Sequence, residues 1–260
     1  FDCIVVAVDT KVTPSVLEDL IKLRIPILIE KPVGWHPNQL TKIRDNYKEL
    51  TDNIIVAYNR RFYGGVQQIK DFIQNNENGI IKLSIPDSIS TIRQFLVNGC
   101  HMIDLLSYIC SNLKIKYKKC VFDSGNNIRT LVAVAEGNKE WQILIDSKPM
   151  VPANFEISAS TNKQVYKLKP IEILEVFDEM KIIDPSDDVP IRRYVPKLKK
   201  QYIEEAKFKP GFLIQSEAFM KFCKHRKISE GIATFNDAIR TLELCHYLIE
   251  GNNLSYEDYI

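Results

Sequence analysis

The sequence has no Gly-x-Gly-x-x-Gly anywhere in its 260 residues. It therefore carries no turn of the kind that cradles a dinucleotide pyrophosphate between a strand and a helix. It has no run of about 18 apolar residues, which excludes a membrane-spanning helix from the expectations. No basic stretch followed by an apolar core opens it, so no secretory leader is expected. Six cysteines (Cys3, Cys100, Cys110, Cys120, Cys223 and Cys245) are scattered without a Cys-x-x-Cys pair. In a chain of this length such spacing points to reduced thiols in a cytosol. Histidine is scarce, with 4 in the chain, and none stands at zinc-like spacing from a cysteine; metal ligation is not expected. An excess of one charge is also missing. The formal net charge is +2, and no nucleic-acid-binding module is present, so neither nucleic acid nor a membrane is an expected partner.

What is present is enough apolar material for a packed core, with hydrophobic residues at 45%. Phe1-Asp2-Cys3-Ile4-Val5-Val6-Ala7-Val8 reads as a strand buried on both faces. Thr13-Pro14 opens a helix that runs to about Arg24. A strand at Ile27–Ile29, a helix from His36-Pro37 and a strand at Ile54–Ala57 follow. This alternation predicts half of a doubly wound parallel sheet with right-handed crossovers. The other half, with the glycine turn, is expected upstream, in about 60 residues made of two strand–helix units. A processed N-terminus is the alternative.

Beyond Tyr58 the pattern changes. A helix at Val66–Asn75 leads to a strand at Ile80–Ile85, and Asn98 is expected to cap a helix running to about Ser111. Strands then dominate at Ile115–Phe122, Ile128–Ala135, Trp141–Asp146, Phe155–Ala159 and Gln164–Leu168, joined by short turns that imply an antiparallel sheet. Residues 170 to 210, with Pro185, Pro190, Pro196 and Pro210, read as irregular. Two amphipathic helices are expected at about Gly211–His225 and Asn236–Gly251. The expected fold class is α/β plus α+β. A partial Rossmann domain (1–60) precedes an antiparallel-sheet domain for substrate or oligomerisation (61–235), and a closing segment (236–260) packs back on the first.

Three short segments carry the chemistry. Glu30-Lys31-Pro32 follows a buried strand directly, at the carboxyl edge where open α/β sheets bind ligands. A cation there can stabilise a developing alkoxide. Pro32 removes a backbone donor and stiffens the turn. Tyr58-Asn59-Arg60-Arg61-Phe62-Tyr63 follows the next strand, and its arginines suit a phosphate, a sugar carboxylate or an ion pair. Asn98-Gly99-Cys100-His101 supplies an acid–base imidazole, with Asp104 one helical turn on, positioned to orient it or to pair with a buried arginine. Cys100 beside His101 invites a nucleophile reading but lacks any catalytic-cysteine signature. The basic run Arg192-Arg193-Tyr194-Val195-Pro196-Lys197-Leu198-Lys199-Lys200 reads as a solvated loop face or a diphosphate contact.

In this order, the Lys31, Arg60–Arg61 and His101 segments resemble the glucose–fructose oxidoreductase / inositol dehydrogenase / MocA family (Gfo/Idh/MocA). The resemblance covers essentially the whole chain, most specifically residues 1–110, and includes Ala233–Leu242 as a closing helix. It implies an NAD- or NADP-dependent oxidoreductase acting on a sugar or nucleotide sugar, with surface-polysaccharide amino sugars nearest in character. It places Ala7, Val8, Asp9, Thr10, Glu30, Lys31, Pro32, Asn59 and Arg60 at the cofactor. Arg61, Tyr63, Asn98 and His101 fall at the substrate. Lys31 and His101 become the catalytic pair, with Asn98 and Asp104 assisting. Thr13 stands where many relatives have histidine. Val97 stands where many have the aspartate four residues before the catalytic histidine, so Asn98 is the residue left to substitute for it. A homo-oligomer, dimer or tetramer, is implied through the antiparallel sheet. Two alternatives stay open: a non-catalytic paralogue acting through sheet-mediated assembly, and a lyase or hydrolase on the same fold.

Overall fold

The computed structural model describes residues 1–87, 91–205 and 207–249. In the first sheet, β1 (Ile4–Val6), β2 (Ile27–Ile29) and β3 (Ile54–Val56) lie parallel in that order. The crossovers are α1 (Thr13–Leu20) and α2 (Pro37–Asn46). Each starts with a proline in its first turn, where the missing N–H costs nothing. The helix expected at Val66–Asn75 is α3 (Gly64–Gln74), starting two residues earlier, and it leads into β4 (Asn78–Ser84).

The helix carrying His101 begins earlier than the expected Asn98 cap. Thr91 caps it, its Oγ1 accepting from Gln94 N at 3.1 Å. α4 (Ile92–Gln94) passes through a π-helical turn, Phe95–Gly99, into α5 (Cys100–Ile109). Asn98 therefore sits inside a helix rather than at its cap. Such π turns loosen the backbone ladder and recur at functional sites.

The second sheet has eight strands. After β4 come β5 (Lys114–Phe122), β6 (Ile128–Glu136), β7 (Glu140–Ser147), β8 (Glu156–Ser160) and β9 (Val165–Leu168). Residues 170 to 210 are not irregular. β10 (Ile173–Ile183) and β11 (Arg193–Ile203) form a long antiparallel hairpin at the sheet edge. The tip is exposed on both faces, so no apolar period marks it. Cross-strand ion pairs Lys197–Glu179 and Lys199–Asp178 hold it instead, and with Arg192–Asp184 they engage three of the five basic residues of the run. Pro196 is tolerated because β11 is an edge strand. The spatial order is β11-β10-β9-β8-β4-β7-β6-β5, antiparallel except for β4 against β7. This is the mostly antiparallel sheet that the sequence implied.

α6 (Phe212–His225) covers one face of the first sheet, where Ala218, Phe219 and Phe222 pack on Leu28 and Ile55. The cover stops short of β1. Val5, in register with Leu28, is 64% exposed. The chain then returns to the first sheet: β12 (Ala233–Thr234) pairs antiparallel with β3 and runs into α7 (Phe235–Ile249). Thr234 and Asp237 cap each other there, Asp237 N donating to Thr234 Oγ1 at 3.2 Å and Thr234 N to Asp237 Oδ2 at 2.8 Å. α7 packs on α5 and α2, so one hydrophobic core runs through both sheets. The part of the closing segment expected from residue 250 onward lies outside the described residues. Among the described residues no helix is long and apolar enough to cross a membrane.

Candidate active site

The carboxyl ends of β1, β2 and β3 form one rim. The loop after β1 places Ala7, Val8 and Asp9 at the surface with Thr10 half-buried. Asp9 shapes its own turn, Oδ1 accepting from Lys11 N at 2.8 Å and its carbonyl from Thr13 Oγ1 at 3.0 Å. Thr13 is thus part of the loop's scaffold.

Lys31 follows β2. Its peptide bond to Pro32 is cis, and Glu30 Oε2 accepts from its backbone N at 3.3 Å. The side chain is half-buried, and Nζ donates to the Val97 carbonyl at 2.9 Å. That carbonyl belongs to the π turn and also accepts from Cys100 Sγ at 3.3 Å. Val97 therefore holds the ammonium through its backbone. Burial pulls the Lys31 pKa below its ordinary value.

His101 lies one residue into α5, 6% exposed, with its ring edge-on to Tyr58 at 6.0 Å between centroids. Its Nδ1 has no hydrogen-bond partner among the described residues. Burial first, then the positive charges of Lys31, Arg60 and Lys209, hold its pKa well below the usual value. The imidazole is neutral near pH 7. Cys100 beside it is fully buried, and burial pushes its thiol up to about 11, which argues against a thiolate nucleophile. Asn98 Nδ2 reaches Asp87 Oδ1 at 3.4 Å.

Two expected site residues have another task. Arg61, expected at the substrate, is 5% exposed and committed to Asp104: Nη2 donates to Oδ1 at 2.6 Å and Nε to Oδ2 at 2.9 Å. Its Nη1 also lies 3.5 Å from Asp237 Oδ2. Asp104, expected to assist catalysis, accepts this fork and Thr241 Oγ1 at 3.5 Å, and makes no hydrogen bond to His101. Burial pushes the Asp104 carboxyl up, opposed by the Arg61 charge. The same carboxylate keeps Arg61 firmly protonated. This buried network ties the end of β3 to α5 and α7. Tyr63 is buried as well, 3% exposed, against Asn59 and Gly211.

Asn59 and Arg60 face differently. Asn59 Nδ2 donates to the Pro210 carbonyl at 3.0 Å. Gly211 sits at φ +79°, and a Cβ there would collide with the Asn59 carbonyl. The neighbouring Lys209 is one of the positive charges that hold the His101 pKa down. The local signal of the clasp is the Pro210-Gly211 turn, and the partner of Pro210, Asn59, is far away in the chain. A cavity of about 710 Å³, lined in part by Cys110, Asn112, Arg240 and Tyr247, lies at the other end of α5 and contains none of the residues named above.

A parallel sheet with a lysine at its carboxyl rim, leaning on a large mixed sheet with a helical histidine between them, defines a two-domain architecture shared with many solved structures. The chain has the fold of the Gfo/Idh/MocA dehydrogenases. A Gfo/Idh/MocA family oxidoreductase from Vibrio cholerae matches with TM-score 0.65 at 14% identity, over 96% of this chain and 76% of that one. UDP-N-acetylglucosamine 3-dehydrogenase from Acidithiobacillus ferrooxidans matches with TM-score 0.66 at 12% identity, over 95% and 77%. A super-repressor mutant of Gal80p from Saccharomyces cerevisiae matches with TM-score 0.68 at 14% identity, over 100% and 78%. No family model and no curated protein matches the sequence.

Proposed function

We propose that the protein is a nicotinamide-dependent oxidoreductase that moves hydride between NAD or NADP and a hydroxyl or carbonyl carbon of a sugar or nucleotide sugar. The observation that carries this reading is the pairing of a half-buried ammonium, Lys31, with a neutral, buried imidazole whose Nδ1 has no partner among the described residues. An unsatisfied polar atom in such a place costs about 1–3 kcal/mol, which a substrate hydroxyl would recover on binding. The rim residues Ala7–Thr10, Glu30–Pro32 and Asn59–Arg60 suit the nicotinamide end of the cofactor. The sequence contains no glycine-rich turn for the pyrophosphate. When bound, the dinucleotide supplies the hydride acceptor or donor.

The chain's own residues manage the proton. In the oxidation direction His101 Nδ1 accepts the hydroxyl proton, and Lys31 stabilises the negative charge that develops on oxygen. The Val97 carbonyl keeps the ammonium aimed at the cleft. In reduction the imidazolium returns the proton. Lys31→Met and His101→Gln test this by steady-state turnover on a panel of sugars and nucleotide sugars. Each is expected to lower kcat by about 10²-fold or more, with circular dichroism unchanged. Full turnover in both variants would overturn the reading.

A second reading rests on the outer face of the eight-stranded sheet. Tyr117, Val134 and Leu144 lie side by side across β5, β6 and β7 and are all exposed, with Ile80 nearby on β4. Such a face suits self-association into a homo-oligomer, and a fold by itself does not fix an enzymatic role. Leu144→Asp is expected to shift the sedimentation coefficient to that of a smaller species. An unchanged coefficient excludes this surface.

A further inference from the structure

The cavity of about 710 Å³ at the far end of α5 is of small-molecule size, within the range of about 300–1,000 Å³ usual for ligand sites. One part of its lining is a single stripe of α7, where Arg240, Glu243, Leu244 and Tyr247 stand at i, i+3, i+4 and i+7. Ser107 of α5 and Ile115 of β5 also line it. Ser107 lies about 9 Å along the helix axis from His101. None of the candidate active-site residues lines this space.

Its polar groups are short of partners. Ser107 Oγ is shut off from solvent and hydrogen-bonds to nothing among the described residues, not even to the carbonyl one turn back in its own helix. Arg240 and Glu243 are exposed, and neither has an ion pair among the described residues. Their i, i+3 spacing would let them pair with each other, yet they do not. The apolar groups are held in place. Ile115 and Leu244 are half-buried and pack on the core. The Tyr247 ring, 45% exposed, is steadied by the Lys118 ammonium, which lies 3.8 Å from its centroid and donates to the Tyr247 carbonyl.

We propose that this cavity binds a small zwitterion with an apolar body, an aromatic amino acid being the simplest. Its carboxylate meets Arg240, its ammonium meets Glu243, and its side chain lies against Ile115, Leu244 and Tyr247. The two protein charges are of opposite sign, which sets the selectivity. A plain anion gains Arg240 but faces Glu243, and a plain cation gains Glu243 but faces Arg240. A ligand with both charges satisfies both. A χ1 turn of Ser107 brings its hydroxyl to a ligand oxygen, and the turn breaks no hydrogen bond because none is made. The site is independent of the oxidoreductase reading.

The test is calorimetric titration of the full chain with phenylalanine, and with hydrocinnamate, phenethylamine and glycine, which lack its ammonium, its carboxylate and its ring in turn. Phenylalanine should bind about tenfold more tightly, or better, than each of the other three, the scale of one charge-assisted contact or one buried ring. Arg240→Gln and Glu243→Gln change exposed positions and should fold as the parent does. Each should weaken phenylalanine about tenfold, while phenethylamine binds Arg240→Gln no more weakly than it binds the parent. Ser107→Ala should also weaken phenylalanine, and the thermal midpoint of the free variant should not fall, since the lost hydroxyl had no partner. Absence of phenylalanine binding, equal affinity for hydrocinnamate or phenethylamine, or affinity unchanged in both Arg240→Gln and Glu243→Gln would overturn the proposal.

Discussion

Arg61→Met removes the guanidinium from a carboxylate that is 1% exposed and leaves it in the core between α5 and α7. The variant keeps the length and much of the volume of the side chain, so the dominant loss is electrostatic. Asp104 retains only Thr241 as a partner, at 3.5 Å. Removing one member of a buried pair typically costs about 3–5 kcal/mol, because the remaining charge is uncompensated. Against a total stability of about 5–15 kcal/mol this is a large fraction. Urea unfolding followed by fluorescence reads it directly as a fall in the midpoint. The double variant Arg61→Met/Asp104→Leu removes both charges and should recover most of the loss, since apolar replacement of a whole buried pair is close to neutral. A substrate-binding Arg61 would behave differently, with KM raised and the unfolding midpoint unmoved. A loss below ~1 kcal/mol, the scale of an exposed pair, would refute the structural assignment of this network.

Other expectations follow from single contacts. His101 has a folded-state pKa below its unfolded value of about 6.5. The unfolded chain therefore takes up a proton that the folded chain refuses, and stability falls as pH drops below about 6.5, by at most about 1.4 kcal/mol per pH unit. His101→Gln should flatten that part of the profile relative to the parent in denaturant titrations at pH 7.5 and 5.5; parallel profiles would contradict the assignment. Gly211→Ala forces a Cβ onto the Asn59 carbonyl at a positive φ. It should cost about 1–3 kcal/mol, read as a lower urea midpoint, and an unchanged midpoint would contradict the clasp.

How much of this was legible in the sequence depended on burial. The strands Ile27–Ile29 and Ile54–Val56 are covered on both faces, and such strands appear as unbroken apolar runs with helices between them. The hairpin Ile173–Ile203 was missed for the opposite reason: its outer half is exposed on both faces, and its ion pairs leave no period. Asn98 looked like a cap because of its residue type, whereas Thr91 does the capping and the π turn is a property of backbone hydrogen bonding that composition does not encode. Lys31 and His101 are singled out in the sequence by the strand end and the helix start that carry them. For Arg61 an ion pair, and for Asp104 a buried arginine partner, stand among the sequence expectations beside binding and assisting roles. Only their mutual contact shows that they satisfy each other. The Asn59–Pro210 clasp is not legible in the sequence, because it is a hydrogen bond between residues far apart in the chain.

The most direct test of the account is nicotinamide reduction by the protein with NAD or NADP and a panel of neutral sugars, uronic acids and nucleotide sugars, set beside Lys31→Met. The account predicts sugar-dependent reduction by the parent and a loss of about 10²-fold or more in Lys31→Met at unchanged thermal stability. Reduction that persists in Lys31→Met would contradict it.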